Sequence, residues 1–483
     1  MNRELKHVSR VVIAMFLALF VSVSLIQVVY ADELRADPRN VRTLYDSYSA
    51  QRGSILVDGT PIAYSEPVDD VYKFQRIYTD GELYAPVTGY FTLNQGITGI
   101  EGALNSELSG TSNSQFLDSI ANIITGQSPS GDSVELTVDP AVQQVAFDAM
   151  KGLQGSVIAF EPATGRILAM VSTPSFDPNL LASHDSTEVI AQYDALINAA
   201  GSPLDNRAIA GALNPPGSTF KLVVASAALA NGYPTDFKLP NPARYTLPGT
   251  ETTITNAGGG TCGPGATVTL ADALRLSCNI PFAELGGMLG QDVIRAQAEA
   301  YGFDKELDVP LTVTPSTYPQ DMDDAQLALS SFGQFDDRAT PLQMAMVSAA
   351  IANGGVLMKP TLVDQILSPD LSVRQQFSPE ELGRPISEQI STEMTQMMID
   401  NVSNGAASNA RIDGVSVAGK TGTAENGEDD PYTLWFTGFA PADNPQVAIT
   451  VLIEDGGGLG QSGSGNTVAA PIAKKVLEAV LSR

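Results

Sequence analysis

From Val11 to Ala31 the chain runs for twenty-one residues without a charge (VVIAMFLALFVSVSLIQVVYA). A helix rises about 1.5 Å per residue, so this stretch spans about 30 Å, the thickness of a bilayer's hydrocarbon core. Arg3, Lys6 and Arg10 precede it and Asp32 and Glu33 follow it, which favours a cytoplasmic tail over residues 1–10, although Arg35, Arg39 and Arg42 come soon after. Val29-Tyr30-Ala31 resembles a signal-peptide cleavage site, but a signal peptide's apolar region covers only about 7–15 residues. A buried core helix is the other reading, and a position at the extreme terminus directly behind basic residues argues against it. The expectation is an uncleaved anchor over 11–31 in the cytoplasmic membrane, with the rest of the chain outside the cytoplasm. No later segment is long and apolar enough to span again.

Beyond that anchor, 483 residues leave ample length for a large buried core. Subtracting 54 acidic from 27 basic residues gives −27, a charge that repels nucleic acid. His7 and His184 are the two histidines, too few for most zinc sites, and they leave His184 as the one candidate base for a Ser-His-Asp hydrolase. Its neighbours Ser183 and Asp185 read as ordinary loop residues. The chemistry is therefore expected to run without a metal or other cofactor. Cys262 and Cys278 lie sixteen residues apart. In an oxidising compartment they could form a disulfide worth about 3 kcal/mol of unfolded-state entropy, and two buried thiols are the alternative.

Residues 32–150 mix short strand-like runs with turns, and Asp58-Gly59 between apolar residues predicts a hairpin. Asp139-Pro140 predicts the start of a helix reaching Lys151. Nothing here clusters an acid, a base and a nucleophile, so the region reads as a pedestal or interaction module. From 151 onward the texture changes. Ser156–Phe160 and Arg166–Ser172 read as a hairpin, followed by helices at Leu222–Asn231, Leu270–Leu276 and Pro341–Asn353. Val415–Ala418, Tyr432–Phe439 and Gln446–Glu454 read as strands, and Ala469–Leu481 as a terminal amphipathic helix. This order predicts an α+β domain, an antiparallel sheet flanked by helices and carrying a helical subdomain. Gly456–Gly465 lacks the Lys-Ser/Thr of a phosphate loop and reads as a flexible connection.

Three segments carry chemistry. In Pro215-Pro216-Gly217-Ser218-Thr219-Phe220-Lys221 a helix is expected to start near Ser218, which puts Ser218 and Lys221 on one face of its first turn. A serine hydroxyl is a weak nucleophile until a base takes its proton, and a lysine is that base only when its pKa is depressed. Ser277-Cys278-Asn279 follows 59 residues after Ser218; Ser464-Gly465-Asn466 has the same Ser-x-Asn pattern but sits in the glycine-rich loop and reads as a cap. Lys420-Thr421-Gly422-Thr423 is expected at the end of the strand Val415–Ala418, suited to holding a carboxylate, with Gly422 letting a substrate backbone approach.

Taken in order, these three segments resemble the motif set of the penicillin-binding proteins and serine β-lactamases. Arg52-Gly53-Ser54-Ile55 with Asp58-Gly59, and Gly99-Ile100-Glu101-Gly102, are similar to the pedestal motifs of the monofunctional class B members. Pro162-Ala163-Thr164-Gly165, Pro174–Asn179, Gly333-Gln334 and Thr340–Ala345 extend the resemblance over nearly the whole chain. It implies a transpeptidase domain over 151–483 behind a pedestal over 32–150. It also implies that Ser218 attacks the D-Ala–D-Ala bond of peptidoglycan stem peptides, with Lys221 as base and Ser277 as proton relay. Asn279 would hold the donor amide, and Lys420, Thr421, Gly422 and Thr423 would bind the terminal carboxylate. β-Lactam antibiotics would acylate the same serine, and a membrane glycan polymerase would be a partner. Because Cys278 is the middle residue of the second motif, a Cys262–Cys278 bridge would brace the site.

Two other outcomes fit the same fold. A D,D-carboxypeptidase or β-lactamase would pass the acyl group to water, and a β-lactam sensor or scaffold would bind without turnover. The anchor and pedestal weigh against a β-lactamase, and the ten residues before the anchor leave no signalling region.

Overall fold

The computed structural model describes residues 2–26, 30, 50–112, 115 and 130–483. Asn2–Ser24 is one helix, and its Lys6–Ser24 stretch has a mean hydropathy of 1.9 and no residue buried against the rest of the chain. An apolar helix with no protein to cover it has the character of a membrane span. Part of the anchor expected over 11–31, at 27–29 and 31, lies outside the described residues.

Asp58 and Gly59 both take left-handed backbone angles (φ 49° and 69°), as a two-residue hairpin turn requires, and join Ile55–Val57 to Thr60–Pro67. These strands belong to a six-stranded sheet in the order Val373–Gln376, Val363–Leu367, Ser133–Leu136, Ile55–Val57, Thr60–Pro67, Phe74–Tyr78. All neighbours are antiparallel except Ile55–Val57 with Ser133–Leu136. The two motif segments of this region meet in its interior. The buried Glu101 carboxylate receives Arg52 Nε at 2.5 Å, Arg76 Nε at 2.6 Å and the Tyr78 hydroxyl at 3.2 Å. Removing the acid would leave two buried guanidiniums uncompensated, so these motif residues hold the domain together rather than do chemistry.

The pedestal sheet is not confined to 32–150, because two of its strands come from 363–376, where the later part of the chain crosses back. Pro140–Ala149, capped by Asp139 as its sequence predicts, packs with the second domain: Val142 and Ala146 share a core with Val451 and Leu477.

That second domain is built on a five-stranded antiparallel sheet in the order Ala418–Ala424, Thr433–Ala440, Val447–Ile453, Gly155–Phe160, Ile167–Thr173. Alternation along Thr433–Ala440 divides two cores. Leu434 and Phe436 face the terminal helix Ala470–Leu481, while Trp435 and Phe439 face the helical side containing Lys221–Ala230 and Pro341–Ala352. Sandwiched strands are buried on both faces, which explains their continuous apolar runs.

Two local expectations are corrected. The third-motif strand is not Val415–Ala418 but Ala418–Ala424, so Lys420–Thr423 lie within it; seven residues pair with Thr433–Ala440, and pairing overrides the weak strand preference of two glycines. Gly456–Gly465 is not an open connection: it folds through short 3₁₀ turns, and a Cβ on Gly465 would lie 2.3 Å from Trp435 O and 2.5 Å from Gly422 O. Ser464 does cap the turn that leads into the last helix, with Thr467 returning the bond.

Candidate active site

The turn carrying Ser218 is held from three sides. Pro215 O accepts from Trp435 Nε1 at 2.9 Å, and the Gly217 N–H donates to Gly333 O at 2.9 Å. Gly217 is left-handed (φ 51°), and a Cβ there would sit 3.1 Å from Thr423 O. The α-helix begins at Lys221 rather than near Ser218, because Gly217–Thr219 form a 3₁₀ turn first. Ser218 is half-buried at the mouth of a cleft, and Lys221 is fully buried beneath it.

Lys221 Nζ lies 2.9 Å from Ser218 Oγ, 2.9 Å from Ser277 O and 2.8 Å from Asn279 Oδ1. None of these partners is a carboxylate, and the rings of Phe282 and Phe332 approach Nζ at 5.6 and 5.8 Å. Burial, and secondarily the charge of Lys420, push the Lys221 amine well below its ordinary value. The serine therefore sits beside a lysine poised to act as a free base.

Ser277 follows the helix Leu270–Arg275 in a left-handed conformation (φ 61°). Its N–H donates to Leu274 O and that of Cys278 to Ala273 O, the paired bonds of a Schellman ending, whose left-handed position is usually glycine. A serine there stores about 1–3 kcal/mol of strain. The conformation aims the Ser277 carbonyl at Lys221 and its hydroxyl at Lys420, whose Nζ donates to Ser277 Oγ at 2.6 Å and to Thr421 O at 2.8 Å. Burial lowers Lys420 to about 7.

Gly422 has a different role from the one its position suggests: a Cβ there would lie 2.8 Å from Pro216 O and 3.2 Å from Thr219 Cγ2. The missing side chain lets the nucleophile turn seat on the strand. Thr421 Oγ1 donates to Ala406 O, and Thr423 Oγ1 accepts the Gly465 N–H at 3.2 Å.

Ser218 opens into two lobes. One, of about 450 Å³, is lined by Ser277, Asn279, Thr421, Gly422, Thr423, Ser464 and Asn466. The other, of about 560 Å³, is lined by Asn279, Phe332, Gln334, Phe335, Thr423 and Glu425. All residues of the three motifs thus gather at one cleft, and Cys262 and Cys278 are joined as a disulfide at its edge. Sequence reasoning missed the lining by Ser464 and Asn466, whose Ser-x-Asn pattern was the only signal. It also missed Asn256, which lines the first of these lobes and carries no such signal. His184 lies outside both lobes, paired through Nδ1 with Asp70 Oδ2 at 2.6 Å. Among the described residues no group of three His, Cys, Asp or Glu could hold a metal ion.

The family model of the penicillin binding protein transpeptidase domain matches residues 155–478, and that of the penicillin binding protein A dimerisation domain matches 52–134. Peptidoglycan D,D-transpeptidase PbpA of Mycolicibacterium smegmatis is 42% identical over 490 aligned residues, covering 100% of this chain and 99% of that one. The structure of penicillin-binding protein A from M. tuberculosis as its ceftriaxone acyl-enzyme matches with a TM-score of 0.87 at 40% identity, covering 90% of this chain and 100% of the other. Its penicillin G acyl-enzyme matches with a TM-score of 0.85 at the same identity and coverage. With the transpeptidase-domain model matching residues 155–478 and a relative 42% identical over the whole chain, this protein is a member of the penicillin-binding protein transpeptidase family.

Proposed function

We propose that the chain is a peptidoglycan D,D-transpeptidase that cross-links stem peptides through an acyl-enzyme on Ser218, releases D-alanine, and is blocked covalently by β-lactams. The observation that carries this reading is the 2.9 Å contact between Ser218 Oγ and the Nζ of Lys221, whose amine burial pushes well below its ordinary value. Ser218 Oγ attacks the carbonyl carbon of the penultimate D-alanine, and its proton passes to Lys221. The resulting oxyanion is assigned to the backbone N–H groups of Ser218, at a helix N-terminus where such groups lack intrahelical partners, and of Thr423. Collapse breaks the C–N bond, and the leaving D-alanine nitrogen takes its proton from the Ser277 hydroxyl. Lys420, 2.6 Å from that hydroxyl and lowered to about 7, is suited to replace the proton. Thr421 and Thr423 hold the terminal carboxylate and Asn279 the donor amide. An amine from a neighbouring stem then attacks the ester and gives up its surplus proton through Ser277 to Lys420, Ser218 leaves with a proton returned from Lys221, and the cross-link forms.

The N-terminal helix is assigned as a single anchor in the cytoplasmic membrane, with the catalytic domain on the outer side and a membrane glycan polymerase as the partner that supplies uncross-linked strands. Incubating the full-length protein with polymerised, uncross-linked glycan tests the reading. Dimeric muropeptides and free D-alanine should appear in equal amounts and vanish with Ser218→Ala. D-Alanine without dimers would make the protein a carboxypeptidase instead.

A further inference from the structure

Asparagine at a helix N-terminus ordinarily turns its own side chain back to accept the first free N–H groups. Asn279 precedes the helix Ile280–Leu289 and makes no such bond. Its side chain points the other way: Oδ1 receives Lys221 Nζ at 2.8 Å, and Nδ2 donates to Thr255 O at 3.3 Å. The orphan donors of the helix are satisfied from outside. Asn256 Oδ1 accepts the N–H of Asn279 at 3.0 Å and that of Ile280 at 3.1 Å. Asn256 is buried, and its amide orientation is fixed on both sides, because Nδ2 donates to Gly260 O at 3.1 Å. The turn it starts closes with Gly259 N–H on Asn256 O at 2.9 Å and leads to Cys262, disulfide-bonded to Cys278. Residues 277–279 are thus gripped at one end by the bridge and at the other by Asn256.

We propose that Asn256 is a positioning residue for acyl transfer: its side chain anchors the backbone N–H groups of Asn279 and Ile280 and so fixes the Asn279 amide oxygen on Lys221 beside Ser218. Without Asn256, those two N–H groups lose their acceptor and the backbone that carries the Asn279 amide is no longer held. A shift of that backbone takes the Asn279 oxygen off Lys221, and the amine loses one of the three contacts that aim it.

The role rests on Ser218 being the acylated nucleophile, and the test separates the two claims. Acylation rate constants with a fluorescent penicillin are measured against pH for wild type, Asn256→Ala, Asn279→Ala and the double variant, with melting temperatures alongside. Asn256→Ala should slow acylation by about 10²-fold, the scale of a misaimed catalytic group. In the Asn279→Ala background the same change should add almost nothing, since the group it positions is already gone. Each single variant should also move the acid limb of the profile to lower pH by the same amount, because an acceptor of the protonated amine is lost. Wild-type rates in Asn256→Ala, or losses that multiply in the double variant, would overturn the proposal while leaving the Ser218 reading intact. Absence of wild-type labelling at Ser218 would overturn both. Should Asn256→Ala fail to fold, Asn256→Leu, close in volume and without an acceptor oxygen, enters the same cycle under the same criteria.

Discussion

Lys420 donates to the Ser277 hydroxyl across 2.6 Å, joining two motifs 143 residues apart in the chain. The same serine turns its carbonyl to Lys221, so one residue links both buried lysines. Burial is what chiefly depresses the Lys221 amine, and the charge of the neighbouring Lys420 lowers it further.

Acylation should therefore lose rate on acidification, as Lys221 takes up a proton. Lys420→Ala removes the neighbouring charge and admits water, so the acid limb of the acylation profile should move to higher pH. Lys221→Ala should lower the rate by about 10²–10⁴-fold and flatten that limb. Stopped-flow acylation with a chromogenic cephalosporin across about pH 5–9 reads both effects.

Ser277 is strained because its hydroxyl is needed where glycine would fit. Ser277→Gly should leave stability unchanged or raise it by up to about 1 kcal/mol, while acylation falls by orders of magnitude. Thermal unfolding and penicillin labelling on the same preparation check the opposite signs. A parallel loss of both would make Ser277 a structural residue only.

The Cys262–Cys278 bridge closes a loop of sixteen residues. Replacing both by serine should cost about 3 kcal/mol of stability on the loop-entropy scale. Because Cys278 lies between Ser277 and Asn279, the double variant should also acylate more slowly than wild type at temperatures where it is fully folded. Denaturant unfolding and labelling rates measure the two separately.

Asp337 is fully buried, and neither of its carboxylate oxygens has a hydrogen-bond partner among the described residues. Burial raises its pKa well above the ordinary carboxylate range, an effect that adjacent Arg338 opposes and Asp336 adds to. A raised folded-state value means that the native state binds the extra proton. The stability it contributes is complete below the unfolded value and is lost as pH rises toward the folded one. Asp337→Asn, neutral at every pH, should melt higher than wild type at pH 7 and lack that loss. Melting curves from pH 4 upward, above the ordinary aspartate range of about 3.9, show the divergence if the reading is right. Parallel curves would mean Asp337 is ionised and paired in solution.

How much of this was legible in the sequence depended on the range of the interaction. The Asp58-Gly59 hairpin, the Asp139 cap and the pairing of Ser218 with Lys221 are local, set within four residues, and residue type alone announces them. The strand Ala418–Ala424 was displaced in the reading because its extent is decided by the partner strand, not by its own glycine-rich residues. The addition of Val363–Leu367 to the pedestal sheet rests on pairing with Ser133–Leu136, more than 200 residues away, with no local signal. Asn256 was invisible for the same reason: its work is done on backbone groups of residues 279 and 280.

The most direct measurement is intact-protein and peptide-mapping mass spectrometry after exposure to penicillin. The account predicts a single adduct of one penicillin mass on the peptide carrying Ser218, stable over hours and absent from Ser218→Ala. An adduct on another residue, or undiminished labelling of Ser218→Ala, would contradict it.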